Sequence, residues 1–192
     1  MKLVVITGEK TCEQEVETLL EILKLGVRVH VRKPGWPDSV LEAYLKQIPE
    51  RFLNQMSLHG SVQLAEKLGM GLHLKSDQQK PHDWNDMISK SFHRMEEIHD
   101  YPHALHYGFL SPIYDSISKR EHYAGFTKEQ LELALPSMQQ QMPVYALGGI
   151  TPDKLYELKM IGFSGVAIMG AIWSHNRMAD RMRTMEKFIS HG

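Results

Sequence analysis

The chain has 192 residues, 42% of them hydrophobic in type, and a formal net charge of −1. This length suits one well-formed core, so we expect a single domain over residues 1–192. The charge excludes the strongly basic footprint of a nucleic-acid binder. The single cysteine, Cys12, cannot form an internal disulfide, which favours a reducing compartment. The apolar run at residues 3–6 is too short for a signal peptide or a membrane helix, so we expect a cytoplasmic protein without membrane contact.

Short apolar runs alternate with helical patterns along the whole chain. The predicted strands are residues 3–6, 27–31, 54–59, 71–74, 88–92, one strand within 104–113, then 143–147 and 165–169. The predicted helices are residues 13–25, from 38 or 39 to 48, 61–68, 93–100, 127–135, 151–161 and most of 171–189, with only a degenerate fourth helix at 82–87.

Eight strands, each followed by a helix or the remnant of one, predict a parallel sheet. The average unit is about 24 residues long, which is compact but sufficient for a (β/α)8 TIM barrel. An open doubly wound sheet with fewer strands is the alternative, and it requires some of the short strands to be loops.

Polar side chains recur near the ends of the second, third and fourth strands. The valines of residues 27–31 share one face, so His30 and Arg32 take the other. By the same alternation His59 and His73 point into the barrel. We expect these groups at the carboxyl-terminal mouth, where TIM-barrel active sites lie. A hydrogen-bonded interior layer and a three-histidine transition-metal site are the alternatives, and we favour hydrogen bonding to substrate over the metal.

Glycines follow the last two strands. Gly148 and Gly149 end the seventh strand, and Gly170 follows the eighth. Barrels often bind phosphate at this place because glycine lets an anion approach backbone N–H groups. Plain turn glycines are the alternative. The polar loop at residues 111–119 adds hydroxyls and a lysine that could bind an anionic group.

Taken together, these segments resemble the thiamine-phosphate synthase/TenI family over nearly the whole chain, in matching order. The matching segments are residues 27–33 (VRVHVRK), 62–65 (VQLA), 71–74 (GLHL), 91–93 (SFH), 111–119 (SPIYDSISK), 144–150 (VYALGGI) and 165–172 (GVAIMGAI). The 111–119 loop and the GGI segment are the most specific of them.

The resemblance implies a barrel that binds thiazole phosphate through backbone groups of Gly149, Met169 and Gly170, with Gly148 beside them. In the synthases, the partner substrate is hydroxymethylpyrimidine diphosphate. Pyrophosphate leaves, and the thiazole nitrogen captures the pyrimidine carbocation to give thiamine phosphate.

The resemblance also assigns the other side chains of the site. Arg32 and Lys119 are expected to contact the pyrophosphate, which preorganised cations stabilise as it departs. Together with Ser91, they are the expected catalytic residues. The expected substrate-binding residues are Ser116, Ser118 and Lys33, and also His30, His59 and His73, which strand alternation directs into the barrel.

The family's Mg²⁺ ligands are largely replaced. Its Asn-Asp pair falls on His59 and Gly60, and its second acid falls on Gln78, beside Asp77. The glutamine of its second strand is His30. We therefore expect Mg²⁺ if the protein is a synthase, with Asp77 the one candidate ligand.

TenI-type thiazole tautomerases need no metal, and they are the close alternative because proton transfer on a thiazole carboxylate requires only an acid or base. Their characteristic histidine, however, falls on Pro112. A barrel that only binds thiazole or thiamine phosphate is the third possibility. We favour the synthase on the 111–119 loop, the 91–93 segment and Arg32, with small-molecule substrates and a homodimer as the default assembly.

Overall fold

The computed structural model describes residues 1–114 and 125–192. Its eight strands close into one parallel barrel in sequence order, β1 to β8, with β8 paired to β1. The (β/α)8 prediction is confirmed. The strands are β1 (Lys2–Ile6), β2 (Arg28–Val31), β3 (Met56–His59), β4 (Gly71–Leu74), β5 (Ile88–Phe92), β6 (Tyr107–Leu110), β7 (Val144–Leu147) and β8 (Gly165–Ile168).

Helices surround the barrel and cover the outward faces of the strands. They are α1 (Glu15–Lys24), α2 (Asp38–Leu45), α3 (Val62–Lys67), α4 (Met95–His99), α5 (Lys128–Gln141), α6 (Leu155–Ile161), α7 (Gly170–Trp173) and α8 (Met178–His191), with short 3₁₀ turns at Glu50–Gln55 and Pro152–Lys154. The β4–β5 connection, residues 75–87, contains no helix, so the degenerate helix expected at 82–87 is wrong. Among the described residues, no helix is long and apolar enough to span a membrane.

Several element boundaries differ from the sequence-based expectation. The third strand begins at Met56, because the preceding residues form a 3₁₀ turn. Helix α5 continues past the expected end at 135 to Gln141 with Pro136 inside it. Burial of Leu131, Leu135 and Met138 on one face holds this helix together despite the hydrogen bond that proline removes. The last helical segment divides into α7 and α8.

The interior of the barrel has an apolar side, formed by β6, β7, β8 and β1, and a polar side, formed by β2 to β5. Tyr107, Phe109 and Tyr145 pack with β1 and β8 side chains in a cluster separate from the core under the helices. Gly165 makes room for this layer, since a Cβ there would lie 2.9 Å from the Tyr145 ring. The inward side chains of β2 to β5 are polar from the amino ends, where Arg28 donates to Ser57, to the carboxyl ends, where the candidate site lies.

Candidate active site

A cavity of about 840 Å³ opens at the carboxyl-terminal mouth of the barrel. Its lining comes from the ends of strands and the loops that follow them, which is where barrel enzymes carry their sites. Ten of the residues named from the sequence line it: Arg32, Lys33, His59, His73, Asp77, Ser91, Gly148, Gly149, Met169 and Gly170. The predicted residues Ser116, Ser118 and Lys119 lie outside the described residues.

His30 lies beneath the cavity and contacts its floor. The imidazole is fully buried, with Nδ1 at 2.9 Å from His59 Nε2 and Nε2 at 2.6 Å from the Tyr107 hydroxyl. His59 and His73 are register partners on β3 and β4, and their rings stack with centroids 4.1 Å apart. The histidines predicted from three separate strands therefore form one connected cluster.

His73 is held by two serine hydroxyls. Its Nδ1 lies 2.8 Å from Ser89 Oγ, and its Nε2 lies 2.9 Å from Ser91 Oγ. A hydroxyl can donate or accept, so these contacts fit either neutral tautomer of the ring. Ser91, expected near the diphosphate, thus also orients a histidine of the cavity floor.

The three imidazoles are neutral at pH 7. Burial, which disfavours the charged ring, lowers the pKa of His30 and of His59 well below the ordinary value. Burial, aided by the neighbouring Lys90 and Arg32 charges, lowers the pKa of His73 to about 3. The cluster can therefore accept hydrogen bonds or bind a metal ion, and it does not add positive charge to the cavity.

The two cations that follow β2 differ in their availability. Arg32 Nη1 pairs with Glu9 Oε1 at 2.6 Å, and its side chain keeps 35% of its exposure. Lys33 is fully buried instead, with Nζ at 2.6 Å from Glu15 Oε1 and at 2.8 Å from the Gly8 carbonyl oxygen. The Lys33 ammonium is therefore paired with Glu15 of α1 and is not available to a ligand. Arg32 supplies the accessible positive charge at this side of the cavity.

Lys90 organises the loop after β4, and the sequence reading overlooked it. From the outward face of β5, its ammonium donates to the carbonyl oxygens of Lys75, Ser76 and Gln78. This loop carries Asp77 into the cavity lining. The sequence does contain a sign of this role. Lys90 alternates with Ile88 and Phe92 on the strand face that packs against helices, where a charged side chain is unusual.

Gly148 and Gly149 form the opposite wall. Both have positive φ, 102° and 63°, which side chains other than glycine rarely adopt. The chain also passes very close to Pro112 here, since a Cβ on Gly148 would lie 3.1 Å from the Pro112 Cα. The backbone thereby faces the cavity without side chains, as a phosphate site requires.

The chain matches the family model described as thiamine monophosphate synthase over residues 3–172. It belongs to this family. Membership confirms the resemblance seen in the sequence segments and assigns the chain to thiamine biosynthesis, in a family whose synthases are transferases.

Individual relatives support the same assignment. The thiamine-phosphate synthase of Oceanobacillus iheyensis is 25% identical over 182 residues, which cover 87% of this chain and 88% of that protein. The thiamine-phosphate synthase of Lactococcus lactis is 35% identical over 63 residues, only 28% of its length. Among solved structures, thiamine phosphate pyrophosphorylase from Bacteroides thetaiotaomicron superposes with a TM-score of 0.84 at 29% identity, over 100% of this chain and 97% of that one.

The oxygen donors for the family's Mg²⁺ are few in this member. Asp77 lines the cavity, whereas Gln78 does not, since its Oε1 accepts a hydrogen bond from the Lys75 backbone N–H at 2.9 Å. Asp38, at the start of α2, is a second lining carboxylate, and it accepts a 2.5 Å hydrogen bond from Ser61 Oγ. From the sequence, Asp38 was expected only as a residue at the start of the second helix. Two carboxylates lining one cavity are donors of the chemical type that Mg²⁺ uses together with substrate phosphates.

Proposed function

We propose that this protein is a thiamine-phosphate synthase, transferring the hydroxymethylpyrimidine group from its diphosphate to thiazole phosphate and releasing pyrophosphate. The observation that carries the proposal is the pairing of two anion-binding walls in one cavity. The glycine wall of Gly148, Gly149 and Gly170 faces across the barrel mouth from the wall that carries Arg32 and Ser91. Family membership supports the same reaction.

Each wall has a distinct task in this proposal. Backbone groups of Gly149, Met169 and Gly170 bind the thiazole phosphate. Arg32 and the Ser91 hydroxyl bind the diphosphate, whose negative charge grows as it leaves. Lys119, Ser116 and Ser118 are proposed to complete this second wall, on the evidence of the sequence alone.

Mg²⁺, when bound with the diphosphate, would stabilise the charge of the leaving pyrophosphate. Asp77 and Asp38 would hold it through carboxylate oxygens. The Lys90 contacts to the loop fix the backbone on which Asp77 stands. The chain's own contribution is therefore to position these two carboxylates beside the cationic wall.

A thiazole tautomerase remains the second candidate, because three neutral imidazoles lie at the cavity floor. The synthase is better supported. A general base works best with a pKa near the operating pH, and burial makes His30, His59 and His73 much weaker bases than that. Binding of thiazole or thiamine phosphate without turnover is the third candidate.

We also propose a cytoplasmic location and a homodimer as the default assembly.

The decisive experiment incubates the purified protein with both substrates and Mg²⁺ and measures thiamine phosphate. Formation of product that requires both substrates supports the synthase, and Arg32→Ala should lower kcat/KM by about 100-fold, a loss of about 2.7 kcal/mol of transition-state stabilisation. No product across a range of pH and Mg²⁺ concentrations would overturn it. Acceleration of thiazole carboxylate aromatisation in EDTA would identify a tautomerase instead.

A further inference from the structure

We propose that His30, His59 and His73 form a binding site for one divalent transition-metal ion, with Zn²⁺ the preferred occupant. A ring nitrogen from each histidine lies within 4.8 Å of the other two, on three adjacent strands. Within residues 1–114 and 125–192, this is the only cluster of three or more such ligands. The cluster includes neither of the carboxylates that would hold Mg²⁺.

The spacing needs little adjustment to accept an ion. Zn–N bonds of about 2.0–2.1 Å in a tetrahedral site place ligand nitrogens about 3.3 Å apart. His30 Nδ1 and His59 Nε2 already face each other at 2.9 Å. With the proton of this hydrogen bond on His30 Nδ1, ion binding moves that same proton to His30 Nε2, which then donates to the Tyr107 hydroxyl oxygen, and both facing nitrogens are free to bind the ion.

The surroundings supply the outer contacts that metal-binding histidines normally have. Such histidines use their second nitrogen to hydrogen-bond a neighbour, which fixes the tautomer and the ring orientation. Tyr107 provides this contact to His30. Ser89 and Ser91 each contact one ring nitrogen of His73, so the nitrogen that binds the ion gives up its serine and the other serine remains as the outer contact. Because the imidazoles are neutral, an ion does not compete with protons at pH 7.

The geometry also leaves a coordination position open. His59 and His73 both line the cavity, so a bound ion would present its fourth position to the substrate space. Three protein ligands with one open position are typical of catalytic zinc. The charges of Arg32 and Lys75 act on His59 and oppose a cation there. An anion in the fourth position should therefore strengthen metal binding.

Two of the three histidines stand where the family resemblance has other residues. His30 replaces a glutamine and His59 an asparagine, whereas His73 matches the family's own histidine. In the structure, His30 and His59 lie against His73. Next to His59 in the chain, Gly60 stands where the family has an acidic residue. Compared with the family pattern, this barrel mouth therefore has more nitrogen ligands and fewer oxygen ligands. Nitrogen ligands favour Zn²⁺ over Mg²⁺.

The test uses full-length protein freed of metal with EDTA and titrated with Co²⁺, a spectroscopic substitute for Zn²⁺. We expect one Co²⁺ per chain, an intense visible band typical of four-coordinate nitrogen ligation, a spectral shift when azide is added, and displacement by Zn²⁺. His59→Gln and His73→Gln should each raise the Zn²⁺ Kd at least 100-fold. Tyr107→Phe, which keeps the ring, should raise it about 10-fold.

His93→Gln is the matched control, because His93 lines the same cavity but lies outside the cluster. Its Zn²⁺ affinity should equal that of the unmodified chain. Circular dichroism establishes that each variant is folded, and if His73→Gln is not, His59→Gln and Tyr107→Phe decide. Absence of Co²⁺ binding, or equal affinity in His59→Gln and His93→Gln, overturns the proposal. No substrate is used, so this outcome is independent of the synthase assay.

Discussion

At the scale of single residues, Lys33 and Glu15 form an ion pair that is almost wholly removed from solvent, with side-chain exposures of 0% and 2%. Removing one partner leaves an uncompensated buried charge. Lys33→Met should therefore lower the free energy of unfolding by about 3–5 kcal/mol, measured by urea denaturation. The pair thus fixes the end of β2 against α1, beside the residue that carries the accessible charge.

Lys24→Met provides the control, because Lys24 makes an exposed pair with Glu21 and should cost only about 0–1 kcal/mol. Equal stability of the two variants would show that Lys33 is not held by Glu15 as the structure has it.

Gly148 also allows a prediction at the residue scale. Its φ of 102° disfavours any side chain, and an added Cβ would lie 3.1 Å from the Pro112 Cα, a contact tight enough to push the neighbouring chain away. Gly148→Ala should lower the free energy of unfolding by at least about 1–2 kcal/mol and should raise the KM for thiazole phosphate. Denaturation and steady-state kinetics measure the two effects.

Gly69→Ala separates backbone strain from damage to the site, since Gly69 has a φ of 62° with nothing within 4 Å of the added Cβ. It should lose stability through strain and leave the KM unchanged. A raised KM in Gly69→Ala, or an unchanged KM in Gly148→Ala, would contradict the assigned phosphate wall.

At the scale of elements, Lys90 ties β5 to the loop after β4. Lys90→Met removes the donor to three loop carbonyls and should loosen the backbone that holds Asp77. We expect the KM for the pyrimidine diphosphate to rise about 10-fold, equivalent to about 1.4 kcal/mol, with the KM for thiazole phosphate unchanged. An equal rise for both substrates would indicate a general loss of structure.

Helices α2 and α3 are joined by Glu42 and Lys67, whose oxygen and nitrogen atoms lie 2.8 Å apart. Hydrogen bonds from Lys67 and then Lys46 lower the pKa of Glu42 from 4.5 to about 2. Because the pKa of Glu42 is lower in the folded state, this carboxyl stabilises the fold at pH values above its ordinary pKa. The stabilisation disappears as the pH falls from about 4.5 towards 2. Because the group is exposed, salt weakens the effect.

The measurement is an NMR titration of the Glu42 carboxyl. In Lys67→Met its pKa should move back towards 4.5, and 1 M NaCl should move it in the same direction in the unmodified chain. Lys46→Met should have the smaller effect. A Glu42 pKa that does not change in Lys67→Met would contradict the bridge between the two helices.

At the scale of the whole molecule, Arg181 joins the two ends of the chain. From α8 its guanidinium donates to the carbonyl oxygens of Glu13, His175 and Asn176, and the side chain is only 1% exposed. Arg181→Met should lower the free energy of unfolding by about 3 kcal/mol, because these buried acceptors lose their charged donor. Denaturant unfolding measures it.

Arg183→Met is the control, since Arg183 lies on the same helix with 66% of its side chain exposed and pairs only at the surface with Asp180. It should change stability by less than about 1 kcal/mol. If Arg181→Met lowered the stability as little as Arg183→Met, the packing of α8 against the start of α1 would not depend on Arg181.

The sequence predicted the order and number of strands because each βα unit carries its own local signals. The apolar runs of β4 and β5 were placed at their observed bounds, whereas the degenerate helix expected between them at 82–87 is absent. The continuation of α5 through Pro136 was not predicted. A proline is a local signal for the end of a helix, whereas the burial of Leu135 and Met138 that keeps this helix together is a tertiary effect. The division of α7 from α8 likewise depends on Arg181, which binds the carbonyl oxygens between them.

By itself the sequence determined the barrel, the glycine wall and the inward direction of the histidines, since strand alternation and turn chemistry are local properties. Only the tertiary structure decided which charges are available. Lys33 and Arg32 are neighbours in the chain, yet one is neutralised by Glu15 and the other faces the cavity. The structure also brought His30, His59 and His73 into contact. Those outcomes depend on the register between strands and on distant partners, which no short stretch of sequence encodes.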